Sequence, residues 1–240
     1  DAGTAAEVAQ AWQALRSRLL ALATDGPPAE PAASFAQHTR LVEELRQLSL
    51  LNGSRSTLMV DPMPVSHHLS DLLIVSLPSA METVAQSRGL GAGLLARGEA
   101  TPAQRAQVLG LAGQMRRELV DLDTLLALHG RAAGGNLQAW TAGRASLSGL
   151  AEQLGRLFTA DPLPGGSGEF FDTATGTLAQ LQGLANEAAV ALRAQLAMQQ
   201  RQIERWLLLQ GGLSLAAVGL LAYLLLALHV SFQASLRALR

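Results

Sequence analysis

The run WLLLQGGLSLAAVGLLAYLLLALHV, from Trp206 to Val230, constrains this chain more than any other stretch. Trp206 to Leu228 is 23 residues without a charged side chain. At a rise of about 1.5 Å per residue, that length crosses a hydrocarbon core about 30 Å thick. Trp206 and Tyr223 suit the two interfaces, and Gly211, Gly212 and Gly219 are ordinary residues in membrane helices. The rival reading, a buried core helix, would need an equally long soluble helix with no polar face. The expectation is therefore a single span closing a mostly polar chain, which makes the rest a membrane-tethered domain.

Composition narrows what that domain can be. Hydrophobic residues make up 49% of the chain while aromatics make up only 4%, so Ala and Leu carry the apolar content. Those two residues lead the helix propensity scale, and long packed helices follow. A net charge of -1 gives no pull toward nucleic acid or an acidic lipid surface. The absence of cysteine excludes disulfides and thiol chemistry and fits a bacterial envelope protein. The chain opens at Asp1 without Met, basic segment or apolar leader, and is expected to be a fragment cut at both ends.

The apolar spacing divides the domain into helices. Val8, Trp12, Leu15, Leu19 and Leu22 form one stripe, over 5–23, ended by Asp25-Gly26-Pro27-Pro28. Pro31 is expected to keep that loop open, Ser34 to cap a second helix, and Asn52-Gly53 to stop it in a left-handed turn. Pro62 and Pro64 forbid a regular helix over 54–66. A third helix runs to Arg97 with a kink or restart at Pro78, where Ser79-Ala80-Met81-Glu82 reads as a capping box. Thr101-Pro102 opens a fourth helix to about Ala132, Asn136 caps a fifth, and a sixth starts near Gly168. Nothing between Asn186 and Trp206 breaks that last helix, so the soluble and membrane portions read as one rod. Residues 15–45 and 154–181 share a pattern of helix, Pro-rich turn, Phe, helix, which reads either as two packed hairpins or as convergent turn chemistry. No period-two pattern appears. The fold class is all-α: an antiparallel helical bundle of four-helix type, or two stacked modules, continuing into one transmembrane helix.

Catalysis finds no support. His67 and His68 are adjacent and diverge by about 100° on a helix, and His38, His129 and His229 belong to separate helices, so no metal site is expected. Gly89-Leu90-Gly91-Ala92-Gly93 follows no strand and lacks the Gly-Lys-Ser/Thr of a phosphate loop; close approach between helices explains it better. Gly165-Gly166-Ser167-Gly168 is no nucleophile elbow, and the carboxylates make no acid-base pair. Two arginines stand out instead. Arg88 lies near the inward face set by Val84 and Leu94, and Arg144 lies between Trp140 and Leu147. An arginine facing a bundle interior takes either a protein carboxylate or an anionic ligand as its partner, or reaches out to water.

Several segments carry a family resemblance. Ser56-Thr57-Leu58-Met59-Val60-Asp61-Pro62, Ser66-His67-His68-Leu69, Leu77-Pro78 and Arg88-Gly89-Leu90-Gly91 resemble a recurring helical sensor segment. Glu169-Phe170-Phe171-Asp172, Gly176-Thr177 and Leu192 to Leu196 agree with it. Such segments occur in the periplasmic regions of bacterial methyl-accepting chemotaxis proteins and of related transmembrane diguanylate cyclases and histidine kinases. His229 to Arg240, with Phe232, Leu236 and Leu239 on one stripe, is similar to the start of a HAMP linker.

The resemblance implies a sensory receptor without catalytic activity or cofactor, a homodimer in the bacterial inner membrane with its bundle in the periplasm. It divides the chain into a sensor bundle at 1–205, a transmembrane helix at 206–230 and a cytoplasmic HAMP-like linker at 231–240. The expected partner is a small molecule or a periplasmic binding protein, not nucleic acid. Asp61, His68, Arg88, Arg144 and Thr177 are the candidate ligand-binding residues, and none is a candidate catalyst or metal ligand. The alternatives are the sensor region of a membrane-bound cyclase or kinase, and a helical scaffold that senses nothing.

Overall fold

The computed structural model describes residues 2–26, 28, 30–55, 59, 61 and 63–238, with side chains described between residues 6 and 225 except at 31, 32 and 55. Every described element is helical: α1 (Ala2–Asp25), α2 (Pro31–Arg55), α3 (Pro64–Asp71), α4 (Leu77–Arg97), α5 (Pro102–Ala133), α6 (Ala139–Thr159) and α7 (Ser167–Ala238). A π-helical turn, Leu72–Ser76, joins α3 to α4. The chain separates into two compact units, Asp1–Arg193 and Ala194–Arg240.

The first unit is a four-helix bundle with a hairpin laid against it. Its core draws on α3–α4 (Leu69, Leu77, Val84, Leu94), α5 (Val108, Met115, Leu122), α6 (Leu147, Leu154, Phe158) and α7 (Phe170, Leu181, Leu184). On α7 the buried positions Phe170, Ala174, Thr177, Leu181, Leu184 and Ala188 recur every four and three residues, the heptad spacing that keeps one stripe turned inward. Helices α1 and α2 pack on each other, and α2 also packs on the π turn and α4. The second unit is the remainder of α7. Its best 18-residue window has a mean hydropathy of 1.8 and none of it is buried. By length and composition it is able to cross a membrane, and no break in the helix assignment separates it from Ser167.

Local chemistry explains most helix ends and corrects several expectations. Thr101 caps α5 as expected: its hydroxyl accepts the Gln104 N–H at 3.2 Å, and the Gln104 side chain accepts the Thr101 N–H at 2.9 Å. Gly98 and Gly134 end α4 and α5 at φ of 73° and 72°. Helix α2, by contrast, starts at Pro31 and not at Ser34. Proline suits the first helical position, and the Glu30 carboxylate accepts the Ala33 N–H at 2.6 Å, taking the capping role. Nor does Gly53 stop α2; the helix runs through it to Arg55. Gly53 is there for space, because a Cβ would come within 2.9 Å of Ile74 and 3.1 Å of Met59.

The interruption expected at Pro78 is present as a π-helical turn, and the α-helix resumes at Leu77 with Pro78 in its first turn. A proline ring collides with the carbonyl four residues back and offers no N–H, and the backbone answers by widening into the π turn just upstream. The capping box expected at Ser79 is absent, since the helix never opens there: Ser79 Oγ donates to Glu118 at 2.9 Å and Glu82 accepts from Gln86 at 2.8 Å. Asn136 does not cap α6; its side chain lies against Gly130. The N-terminus of α6 is held instead from α7, where Glu187 accepts the Gln138 and Ala139 N–H groups at 2.9 and 2.8 Å. Residues 56–58, 60 and 62 of the Ser56–Pro62 segment lie outside the described residues, as do the side chains of Phe232, Leu236 and Leu239.

Candidate functional site

Arg88 is placed by α4 on the edge of the bundle core, half-buried, with α7 alongside. Its guanidinium carbon sits 5.0 Å from the centre of the Phe171 ring, and one terminal nitrogen donates to Thr175 Oγ1 at 3.2 Å. Phe171 and Thr175 are four residues apart and share one face of α7, next to the buried stripe of Phe170 and Ala174. The glycines that follow Arg88 make room for the aromatic rings around it. A Cβ on Gly91 would fall 2.7 Å from Phe170, and one on Gly89 would fall 2.9 Å from Phe35 of α2. The Gly-rich stretch therefore serves close approach, as its sequence suggested, but what approaches is a pair of aromatic rings.

What sets Arg88 apart is its charge balance. Among the described residues no carboxylate pairs with it, so a half-buried cation rests on a π face and one hydroxyl. Its remaining guanidinium N–H groups keep donor capacity for an acceptor at the α4–α7 seam. A planar, fork-shaped donor beside an aromatic face suits a small planar anion better than an ammonium would.

The other expected site residues lie elsewhere. Arg144 is at the surface, not in the bundle interior. Its Nε donates to both oxygens of Asp123 at 2.9 Å, and Trp140 Nε1 donates to Asp123 as well. These three residues line a cleft of about 270 Å³ between α5 and α6, and the arginine has taken a protein carboxylate as its partner. Asp61 serves the turn before α3: its carboxylate accepts from the Met63 N–H at 2.9 Å and from Ser66 Oγ at 2.7 Å. Thr177 is buried and donates to the Thr173 carbonyl at 3.0 Å, inside its own helix. Thr175, two positions away and so on the other side of α7, is the threonine that reaches Arg88. His68 is half-buried on α3, with Nδ1 inaccessible and without a partner. The five expected residues thus do not converge, and Arg88 is the cation among them that has no carboxylate partner among the described residues.

Three features of the bundle were not anticipated from sequence. Glu118 of α5 draws hydrogen bonds from Ser79, Thr83 and Gln114 onto one oxygen, at 2.9, 2.9 and 3.1 Å. Its second oxygen is buried without a partner. His129 of α5 is also buried with an unpartnered Nδ1, and burial, with His68 nearby, holds its pKa below the usual 6.5. On α2, hydrogen bonds from Arg46 and Gln47 pull the Glu43 carboxyl down to about 2. Among the described residues no group of three or more His, Cys, Asp or Glu side chains is arranged to hold a metal ion.

Comparison with known proteins adds one finding. A family model described as nitrate and nitrite sensing matches residues 73–193, just over half of the chain. The matched stretch starts inside the π turn, takes in α4, α5 and α6, and ends where the first compact unit ends. It includes Arg88, Thr175 and Phe171 and excludes Asp61 and His68. A search of curated proteins and a search of solved structures each gave no match.

Proposed function

The chain belongs to the nitrate and nitrite sensing family, an extracellular sensor domain of bacterial signalling receptors, and from that premise we propose that Arg88 holds the anion. The observation that carries this reading is the unneutralised guanidinium on the α4–α7 seam, inside the matched stretch, with Phe171 beneath it and Thr175 beside it. Nitrate and nitrite are small planar monoanions. Arg88 offers in-plane donors and a charge, Thr175 a hydroxyl whose proton turns between the Phe171 carbonyl and an incoming acceptor, and Phe171 a flat wall.

In this reading the protein is a membrane receptor and not itself an enzyme. An anion bridging α4 and α7 shifts the molecule only if it binds one packing of those helices more tightly than another. Helix α7, assigned as one element from Ser167 to Ala238, carries the difference toward the membrane segment and a cytoplasmic module. The division into a periplasmic bundle at 1–205, an inner-membrane helix at 206–230 and a HAMP-like linker at 231–240 belongs to the same proposal, as does a homodimer. The earlier resemblance favours a chemotaxis output, with a cyclase or kinase as the alternative.

The test is a thermal-shift titration of the full chain in lipid nanodiscs with nitrate and nitrite, using chloride and sulfate as controls. A ligand at about 100 times its Kd stabilises by about 2.7 kcal/mol. For a domain of this size that corresponds to a rise in Tm of about 5–10 °C. Arg88→Ala is expected to abolish the shift, and Arg88→Lys to weaken binding about tenfold or more because it keeps the charge and loses the fork. A folded wild-type chain with no nitrate or nitrite shift, or an Arg88→Ala chain that keeps it, overturns the assignment.

A further inference from the structure

A groove between α2, α4 and α7 plays no part in the anion site. Its walls are carbon: Val42 and Leu45 from α2, Pro78, Met81 and Ala85 from α4, and Leu178 from α7, around a volume of about 350 Å³. Pro78 lies two residues past the π turn, in the part of the fold where α2 packs on the turn and on α4. Val42 and Leu45 are 41% and 44% exposed, so the groove is open to small molecules.

Two charged side chains reach this space, Arg46 and Glu82, and they differ in how far their neighbours satisfy them. Arg46 is committed to Glu43 through Nε and one terminal nitrogen, both at 2.8 Å. Glu82 accepts a single hydrogen bond, from Gln86 to Oε1 at 2.8 Å, which leaves Oε2 available. Glu43 and Glu82 against Arg46 leave one negative charge at an otherwise apolar groove. Burial, with Glu43 adding to it, pushes the Glu82 carboxyl upward. Its ionised form therefore lacks compensation that a cation would supply.

We propose that the α2–α4–α7 groove binds a small apolar amine, its ammonium on Glu82 and its carbon chain along Val42, Leu45, Met81 and Leu178. Apolar walls with one or two convergent polar groups are the ordinary form of a small-molecule site. The polar end here selects for positive charge: a carboxylate head would face Glu82, and an alcohol would leave its charge uncompensated. The site is opposite in sign to Arg88 and independent of it. Helix α2 precedes the residues matched by the family model, whereas α4 and α7 lie within them, so an occupant would clamp α2 onto the sensing helices as a second input.

The test uses hexylammonium, hexanoate and hexanol with the full chain in nanodiscs, read by thermal shift and by calorimetry. Hexylammonium is expected to stabilise in a dose-dependent way and the other two much less. Glu82→Gln, which keeps the Gln86 contact and loses the charge, is expected to weaken hexylammonium binding about tenfold or more. Ala85→Leu, which fills the groove, should block it while leaving the nitrate shift intact. Equal stabilisation by all three probes overturns the proposal, as does unchanged binding in Glu82→Gln. So does the absence of hexylammonium binding in a chain whose helical circular dichroism is intact.

Discussion

Gly89 and Gly91 stand two residues apart in α4 and each faces a phenylalanine ring, yet they tolerate change differently. The ring over Gly91 belongs to Phe170, which is fully buried and cannot give way to a Cβ at 2.7 Å. The ring over Gly89 belongs to Phe35, 37% exposed and free to swing outward from a Cβ at 2.9 Å. Overpacking a rigid site costs about 1–3 kcal/mol. Replacing glycine by alanine within a helix returns about 1 kcal/mol of propensity. Gly91→Ala is therefore expected to lower Tm by several degrees and Gly89→Ala to leave it nearly unchanged, measured by circular dichroism in nanodiscs. Equal losses at the two positions would sink the argument that ring mobility decides. The Arg88-Gly89-Leu90-Gly91 segment was legible as a place of close approach, because small residues inside a helix need a reason. Which rings approach was not legible, since Phe35 and Phe170 lie far away in sequence.

Helix ends divide into those a sequence announces and those the fold supplies. Thr101 reads directly as a cap, because all its partners lie within three residues. The α6 terminus does not, because its acceptor is Glu187, about fifty residues downstream on α7. Asn136, the local candidate, is drawn off to pack on Gly130 instead. The same distinction applies at Pro78: the sequence marks the lost hydrogen bond, but not the π turn over Leu72–Ser76 that takes it up, on which α2 and α5 pack. The all-α class and the apolar span were legible, being set by periodicity and length. The partner of Arg144 and the isolation of Arg88 were not, because both depend on which helix faces which. Removing the two kinds of cap gives a comparison. Thr101→Ala is expected to cost about 1 kcal/mol. Glu187→Ala releases two N–H groups from a charged acceptor and unties α6 from α7, a loss of about 2–3 kcal/mol. Glu187→Gln should fall between. If Glu187→Ala lowers Tm no more than Thr101→Ala, the cross-helix cap contributes nothing special.

At the scale of the whole bundle, the antiparallel register of α4 against α5 is marked by Ser79 and Thr83 on Glu118. Eleven residues upstream of Ser79 is His68, and eleven downstream of Glu118 is His129, so one register brings both imidazoles to the same end of the first unit. Both Nδ1 atoms are buried there without partners. Burial, and then His68, keep the folded pKa of His129 below 6.5, so folding favours the neutral ring. The unfolded chain takes up a proton near pH 6.5 that the folded chain resists. Stability from this source is complete above that value and is lost as pH falls through the folded pKa. Glu82 works in the opposite sense. Its raised carboxyl favours the protonated form, with stability present below 4.5 and lost as pH rises through its folded value. A comparison of each variant with wild type at the same pH cancels that background. The wild-type chain should hold its Tm from pH 8 to about 7 and decline toward pH 5.5, given an ordinary histidine pKa of about 6.5. His129→Gln removes the titrating group, so its Tm, whatever its absolute value, should flatten over this window. His68→Gln removes the lesser of the two lowering causes, so the folded pKa of His129 should rise and the decline become shallower without vanishing, because burial is the larger cause and remains. A His129→Gln chain that keeps the wild-type decline would place the acid sensitivity elsewhere in the molecule.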